Sequence, residues 1–255
     1  MRRTVPAVLA VVLGIVVLAE GLAATGALDP LTFPAPSRVL SAFADGVSSG
    51  IYSDHLAASG GRLLGGLAVA VGVGVPLGVV MGHVRAARMV VWPVLALLYP
   101  IPISLLIPLF IAVFGFTPGL YIALVALATG IPIVFSTTDA VAQVSTTLVE
   151  TGRTLGLGRV ANLRRVVVPA ALPRIARGVF VALSIGILVL VTAEILSSSV
   201  GLGNVVIVAQ RSYRIPEMYA GILLIGLVGL AATEGARRAA AWLARWEQSP
   251  ASRSP

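Results

Sequence analysis

Long runs of apolar residues, separated by shorter polar segments, dominate the 255-residue chain. Each run has about 20 residues, the length that an α-helix needs to cross the hydrocarbon core of a bilayer. The pattern predicts an all-α integral membrane protein with about six transmembrane helices. A cleaved signal peptide is an alternative for the first run, because Ala-Thr-Gly-Ala follows it at 24–27. The predicted spans are 5–24, 62–82, 90–114, 119–135, 178–196 and 219–242.

Two of these runs carry residues that bear on helix packing. In the second run, Gly74, Gly78 and Gly82 recur every four residues on one helical face. Small residues at this spacing allow two membrane helices to approach closely. The third run contains four prolines, at positions 93, 100, 102 and 108. Because proline removes a backbone donor and kinks or breaks a helix, we expect this span to be broken and enclosed by other helices.

The composition excludes several classes of function. Hydrophobic residues make up 58% of the chain and charged residues 11%, too few charges for a soluble surface. All 18 basic residues are Arg, so a Walker A phosphate loop, which requires Lys, is excluded. Cys is absent and only two His are present, so neither a thiolate nor a His-rich metal site is expected. We expect no catalytic residues, no cofactor and no metal.

Loops that contain many Arg residues alternate along the chain with loops that contain few. Fourteen fall at the termini or in the segments between spans two and three and between spans four and five, whereas four fall elsewhere. Because cytoplasmic loops carry the excess of Arg and Lys, both termini and the 136–177 segment are predicted to be cytoplasmic. The net charge of +8 is explained by this sidedness, so no nucleic-acid partner is expected.

The 136–177 segment carries the most informative motif. Residues 137–149 are predicted to continue the preceding helix, and Glu150-Thr-Gly-Arg-Thr-Leu-Gly156 follows. Nine residues later comes Val-Val-Val-Pro, ending at Pro169. The spacing resembles the EAA loop of ABC importer permeases, and the departure is Thr151-Gly152 where that family prefers Ala-Ala. The resemblance implies an ATPase-coupling loop formed by Glu150, Thr151, Gly152, Arg153, Gly156 and Pro169.

Several residues of this loop have properties that suit a short helix protruding from the membrane. Glu150 is predicted near the helix start, where a carboxylate complements the helix dipole. Gly156 permits a tight reversal of the chain, since glycine tolerates positive φ. Pro169 is predicted to begin the next helix, where its missing donor is harmless. Arg153 is one of several basic residues on the loop that suit acidic groups or lipid phosphates.

The resemblance extends from about residue 30 to 240. Residues 33–40, Tyr99-Pro-Ile-Pro102, 110–115, Ala193-Glu194 and Gly201-Leu-Gly203 are similar to the permeases of nitrate, sulfonate, taurine and bicarbonate importers. This implies the type I ABC importer permease fold in the bacterial cell membrane, with an N-terminal helix and extracytoplasmic segment at 1–54, a permease core at 55–242 and a cytoplasmic tail at 243–255.

The same resemblance implies a function and a set of partners. The chain would form a translocation pathway for a small anion such as nitrate, a sulfonate or taurine, and it would not itself be an enzyme. Its partners would be a cytoplasmic ATPase dimer that hydrolyses ATP, an extracytoplasmic substrate-binding protein, a second permease copy and membrane lipid. The alternative is an ion-coupled secondary transporter or channel that acts without an ATPase, which would need ionisable residues within its spans.

Three residues are candidates for the pathway. Glu194 lies in an apolar span, where a carboxylate is costly and is a functional hypothesis by default. A hydrated position near the outer end of the span is the alternative for Glu194. Tyr99 and Pro102 lie in the proline-rich third span, where a broken helix is expected to line a cavity. Outside the spans, a short helix is predicted at 37–44, and the apolar stretch 205–209 is too short to cross a bilayer.

Overall fold

The computed structural model describes residues 4–27, 29 and 32–243, without the side chains of 4–9 and 240–243. The predicted tail at 243–255, apart from its first residue, and Arg2 and Arg3 lie outside this range. The described chain contains helices and no strands, which confirms the all-α class. The helices are α1 Thr4–Ala24, α2 Pro36–Ser48, α3 Ile51–His83, α4 Arg85–Leu98, α5 Ile107–Phe114, α6 Pro118–Ala142, α7 Thr146–Thr154, α8 Arg159–Asn162, α9 Val168–Ser197, α10 Leu202–Arg211 and α11 Ile215–Leu243.

Each predicted span coincides with helical structure, but several helices are longer than predicted. The second span begins at Ile51 rather than 62, and the fifth begins at Val168 rather than 178. Hydropathy locates only the apolar part of such a helix, which continues into polar residues beyond the bilayer. The predicted helical continuation over 137–149 is wrong in one respect, because α6 ends at Ala142 and α7 begins only at Thr146.

The number of spans in the described residues is four or five. The segments α3, Pro118–Ala142, Arg159–Ser197 and Ile215–Ala239 are each long and apolar enough to cross a membrane. The fifth is the pair formed by α4 and Ile103–Phe114, bent by 83°, which confirms the broken third span. The described apolar stretch of α1, Ala10–Ala24, is shorter. The predicted span at 5–24, which would bring the count to six, therefore stays a prediction.

The glycine stripe of α3 packs against α6, as predicted. A side chain at Gly78 would lie 2.6 Å from Thr137 Cβ, and one at Gly82 would lie 2.7 Å from Val141 Cβ. The stripe also reaches back to Gly66, where a Cβ would lie 2.5 Å from that of Val125. Because glycine has no side chain, the backbones of α3 and α6 approach closely along this stripe.

This register shows how α4 and α5 cross between α3 and α6. Each glycine of the stripe, from Gly66 to Gly82, meets the residue 59 positions later, so α3 and α6 run in the same direction. The intervening residues must therefore return the chain from the end of α3 to its beginning. A re-entrant loop would leave the chain at the end where it started, so α4 and α5 form one broken span.

The chain divides into two compact units. The first consists of Met1–Ser59 and Glu194–Val228, and the second of Gly60–Ala193 and Gly229–Pro255. Within the first unit, Tyr52, Leu202 and Leu224 form the core. In the same unit, the Glu20 carboxylate of α1 accepts a 2.7 Å hydrogen bond from the Ser37 hydroxyl and a 3.0 Å bond from its N–H, at the start of α2. The predicted short helix at 37–44 lies within α2, Pro36–Ser48, and is confirmed.

The second unit contains the glycine stripe and two further apolar clusters. One cluster centres on fully buried residues of α6, Leu120, Leu124 and Val125. The other joins the end of α6 to the start of α9 through Val141 and Ala171 and includes Val167 at the end of the loop. This second cluster anchors both ends of the loop that carries the motif. The predicted division into 1–54, 55–242 and 243–255 is not tested by these units and stays a prediction.

Candidate functional site

The segment between α6 and α9, here called the 146–167 loop, consists of two short helices and a turn of π-helix. Helix α7 has nine residues, α8 has four, and Leu163–Val167 form the π-helical turn. Pro169 is the second residue of α9, but α8, the π-helical turn and α9 follow one another without a gap, so it lies inside the continuous helical segment Arg159–Ser197 and the predicted helix start at Pro169 is wrong. Val149 and Leu163 pack against the cluster around Val167, so the loop rests on a defined base.

Gly156 forms the turn that ends α7. Its φ is +82°, a value that L-residues rarely adopt, and a Cβ there would meet no atom within 4 Å. The Leu157 N–H donates to the Gly152 carbonyl at 3.1 Å, and the Gly156 N–H donates to the Arg153 carbonyl at 2.9 Å. This pair of bonds is a Schellman motif, which satisfies the last carbonyls of the helix. The predicted reversal at Gly156 is confirmed.

The expected position of Glu150 near the helix start is wrong. Glu150 is the fifth residue of α7, whose nine residues begin at Thr146, so its carboxylate lies too far along the helix to complement the N-terminal dipole. Its side chain is exposed, as are those of Thr151 and Arg153. The Thr151 hydroxyl donates to the Thr147 carbonyl at 2.8 Å, within its own helix. The charged groups of the motif therefore face outward.

Gly152 departs from the family pattern, and Asn162 explains why. Asn162 is 3% exposed, and its side-chain N–H donates to the Val149 carbonyl at 2.8 Å. A Cβ at Gly152 would lie 2.5 Å from Asn162 Oδ1, so the glycine makes room for the asparagine. Sequence reasoning missed Asn162, for which the only signal was a glycine inside a predicted helix.

Tyr99 and Pro102 lie at the break of the third span. Helix α4 ends at Leu98, and the short 3₁₀ segment Ile103–Leu106 follows Pro102. The Tyr99 ring lies edge-on to Phe135 of α6, with ring centroids 5.8 Å apart, yet 54% of the residue is exposed. The break thus presents Tyr99 and Pro102 on the surface of a single chain.

Glu194 lies in the last turn of α9 and is 0% exposed, so the hydrated position considered for it is wrong. Both carboxylate oxygens lie 2.8 Å from the Ser59 hydroxyl, and one accepts a 3.1 Å bond from the Gly203 N–H. The Ser59 oxygen in turn accepts the Leu202 N–H at 2.8 Å. We call Glu194, Ser59, Leu202 and Gly203 the Glu194 cluster; it places a carboxylate at the start of α10, where the helix dipole favours negative charge.

Gly201 completes the surroundings of this carboxylate. It has φ +142°, and a Cβ there would overlap the Glu194 carboxyl group. The Gly201 N–H donates to His55 Nδ1 at 2.9 Å. The sequence pattern singles out neither His55 nor Ser59, because neither residue belongs to a recognisable motif. The contact between Ser59 and Glu194 spans 135 residues of sequence, so only the fold reveals it.

Comparison with known proteins places the chain in a family. The family model of the inner membrane component of binding-protein-dependent transport systems matches residues 74–246, and the chain belongs to this family. The class is thus a multi-pass inner membrane permease. More particularly, the chain is the permease subunit of an ABC importer of the type that includes sulfonate and taurine permeases. A secondary transporter or channel, the alternative considered from the sequence, is not supported.

Individual relatives and one solved structure agree with this assignment. A protein of Bacillus subtilis named as an aliphatic sulfonates transport permease, SsuC, is 30% identical over 235 residues, covering 92% of this chain and 85% of the relative. The taurine transport system permease protein TauC of Escherichia coli is 31% identical over 224 residues, covering 86% and 82%. The inward-facing MetNI methionine ABC transporter matches at a TM-score of 0.64 and 17% identity, over 75% of this chain and 95% of that chain. This likeness confirms the type I importer permease fold.

Proposed function

We propose that the chain forms half of a translocation pathway together with a second copy of itself. A pair of ATPases would bind on the cytoplasmic side, and a substrate-binding protein would deliver the solute on the extracytoplasmic side. ATP hydrolysis belongs to the ATPases, because this chain has no Lys and therefore no Walker A loop. ATP-driven closure of the ATPases would draw the two 146–167 loops together and open the pathway outward, and hydrolysis would reset it.

The observation that carries this proposal is the geometry of the 146–167 loop. A short helix ends in a Schellman turn at Gly156, and the exposed Glu150, Thr151 and Arg153 lie along it. The loop rests on buried apolar residues, so a force applied to α7 would be transmitted to α6 and α9. This is what a coupling element requires: an exposed surface for the ATPase and a packed base in the membrane domain.

The transported solute is proposed to be a small anion of the sulfonate or taurine kind. The support comes from the names of SsuC and TauC, which are similar to this chain over most of their length. A riboflavin transport system permease of Chloroflexus aurantiacus is also 29% identical over 216 residues. The substrate-binding protein would therefore contribute much of the specificity.

For the pathway itself we propose Tyr99 and Pro102, which the break in the third span leaves on the surface of one chain, where a second copy would enclose them. Glu194 is enclosed within its own chain in this conformation, so its predicted role in the pathway would require the Glu194 cluster to open.

The proposed orientation places both termini and the 146–167 loop in the cytoplasm, on the strength of the Arg distribution. The native chain has no Cys, so single cysteines can be placed and labelled cleanly. We expect Asp45→Cys to react with a membrane-impermeant maleimide added outside the cell. Val160→Cys should react only after the membrane has been permeabilised. The reverse pattern of labelling would contradict the orientation.

The coupling role is tested with Gly156→Asp in proteoliposomes that contain the ATPase. The substitution places a side chain at a positive φ, at a cost of about 1 kcal/mol, and adds volume and a charge at the turn that would face the ATPase. We expect normal membrane insertion but at least about tenfold weaker uptake and ATPase pull-down, since 1.4 kcal/mol corresponds to tenfold.

The matched control is Gly158→Asp, which adds the same charge two residues later. Gly158 has φ −65° and open space around it, so the control carries no backbone penalty. Uptake and pull-down that are normal in Gly156→Asp would show that this loop is not the coupling element.

A further inference from the structure

A cavity of about 550 Å³ lies between the 146–167 loop and the junction of α3 with α4. Four basic side chains line it: His83 and Arg85 from the junction, and Arg153 and Arg159 from the loop. None of its described lining residues is acidic. Two segments about 70 residues apart in sequence thus bring charge of a single sign to one concave site. We call this site the basic cavity.

The charges of the basic cavity are not neutralised by any carboxylate in the part of the chain that the structure describes. Among the described residues, Arg85, Arg153 and Arg159 have no carboxylate within 4.0 Å and no side-chain hydrogen bond. Arg88, one turn beyond Arg85, provides a contrast: it lies 3.4 Å from the Asp139 carboxylate and stacks over Trp92 at 5.1 Å. A neighbouring guanidinium on the same helix thus has an acidic partner, whereas those of the cavity have none among the described residues.

Helix α4 adds a smaller contribution of the same sign. It begins at Arg85, and the preceding residue, Val84, also lines the cavity. The valine side chain cannot accept a hydrogen bond, and no side chain caps this helix. The first amide groups of α4 are therefore left to other acceptors, and the positive end of the helix dipole faces the same region as the guanidinium groups.

We propose that the basic cavity binds a tetrahedral oxyanion group, a phosphate or a sulfate-like group. Guanidinium forks pair with such oxygens in a bidentate manner, and several unpaired forks around one cavity favour a multiply charged anion over a carboxylate. The group can come from a soluble oxyanion or from the headgroup of an anionic lipid, because the chemistry is the same. The volume exceeds that of one phosphate, so an esterified phosphate is accommodated.

A bound oxyanion would join Arg85 at the start of α4 to Arg153 and Arg159 on the loop. It would thereby fix the loop against the membrane helices. This consequence rests on the proposed coupling function, whereas the binding itself does not. Binding can therefore be measured without nucleotide, binding protein or transport, and its failure would leave the proposed function intact.

The test uses the full chain in phosphatidylcholine nanodiscs without nucleotide, both in complex with its ATPase and alone. In one arm the thermal midpoint is followed as sodium sulfate replaces sodium chloride at constant ionic strength. In the other, phosphatidylglycerol is added to the nanodiscs, and the lipid retained after extraction is counted by mass spectrometry. The cavity variant removes three charges of the cavity: Arg85→Gln/Arg153→Gln/Arg159→Gln. The control removes the same number of Arg charges outside it: Arg164→Gln/Arg165→Gln/Arg177→Gln. Arg159→Gln alone serves if the triple variant fails to fold.

We expect the native chain and the control to respond to at least one of the two probes. The cavity variant should need at least about tenfold more sulfate for the same shift, or should lose the retained lipid, because each lost charge-assisted pair weakens binding by about that factor. A response to sulfate alone identifies a soluble anion, and lipid retention alone identifies a headgroup. Equal responses of the cavity variant and the control would overturn the proposal. So would a response seen only when the ATPase is absent, because the cavity would then belong to the ATPase interface.

Discussion

Gly156 and Gly201 each hold the chain at a positive φ in a turn that precedes a helix, yet their surroundings differ. Gly156 lies at φ +82° with no atom within 4 Å of the position of a Cβ. Gly201 lies at φ +142°, where a Cβ would overlap the Glu194 carboxyl group. The first turn needs glycine only for its backbone conformation, whereas the second needs it for conformation and for space.

The polar groups around the two turns differ in the same way. At the 146–167 loop, Glu150 and Arg153 are exposed, and Arg153 lines the basic cavity. In the Glu194 cluster, the carboxylate, the Ser59 hydroxyl and two backbone N–H groups bond to one another within the chain. An exposed turn of this kind is suited to a partner, whereas a buried cluster fixes internal geometry. Substitutions should therefore affect assembly at the first region and stability at the second.

The largest effect is expected for Gly201→Ala. The methyl group would displace the Glu194 carboxyl group, and the backbone strain would add to that displacement, so the loss of stability should be about 3–5 kcal/mol. The measurement is the thermal midpoint of the purified chain in nanodiscs. Gly50→Ala is the control, because Gly50 has φ +72° in open space and should lose only about 1–2 kcal/mol. Equal losses in the two variants would mean that the contact with Glu194 contributes nothing.

A smaller effect is expected for Glu194→Gln. The neutral amide removes the charge that strengthens the bonds from Ser59 and the Gly203 N–H, and it places an NH₂ group where the Ser59 hydroxyl faced a second carboxylate oxygen, at a cost of about 1–3 kcal/mol. The double variant with Ser59→Ala should lose less than the sum of the two single changes, because the residues act through one network. A normal thermal midpoint combined with reduced uptake would contradict this internal role and favour Glu194 as a pathway residue.

The sequence was informative wherever function depends on local spacing. The reversal at Gly156 and the close approach along Gly74, Gly78 and Gly82 were both predicted and confirmed. Each of these features depends on residues that are near one another in the chain. Helix periodicity and backbone preference are therefore sufficient to identify them.

The features that the sequence missed depend on contacts between distant segments. Ser59 meets Glu194 across 135 residues, and no local pattern distinguishes this serine from others. The burial of Glu194 was left open for the same reason, since hydropathy does not reveal what surrounds a span. Glu150 was misplaced because the motif does not indicate the gap at 143–145 that sets where α7 begins.

Gly152→Ala tests the contact between Gly152 and Asn162 that supports the exposed loop. The new methyl group would push against Asn162 Oδ1, which is held in place by the 2.8 Å bond from the side-chain N–H to the Val149 carbonyl. Overpacking of this kind costs about 1–3 kcal/mol, and because the asparagine can shift slightly we expect the lower half of that range. The thermal midpoint again provides the measurement. Adding Asn162→Ala should make Gly152→Ala nearly neutral, and an unchanged penalty in that background would refute the contact.

The smallest effect on stability, with the largest effect on assembly, is expected at Gly156. Asn adopts left-handed conformations more readily than Ala, so Gly156→Asn should lose less than about 1 kcal/mol and Gly156→Ala about 1–2 kcal/mol. If the ATPase recognises the shape of the turn, pull-down should fall more for Ala than for Asn. If it requires a bare backbone at close approach, both variants should lose pull-down although the asparagine variant remains stable. Pull-down by both variants at the native level would leave Gly156 with a conformational role alone, and the proposed contrast between the two turns would fail.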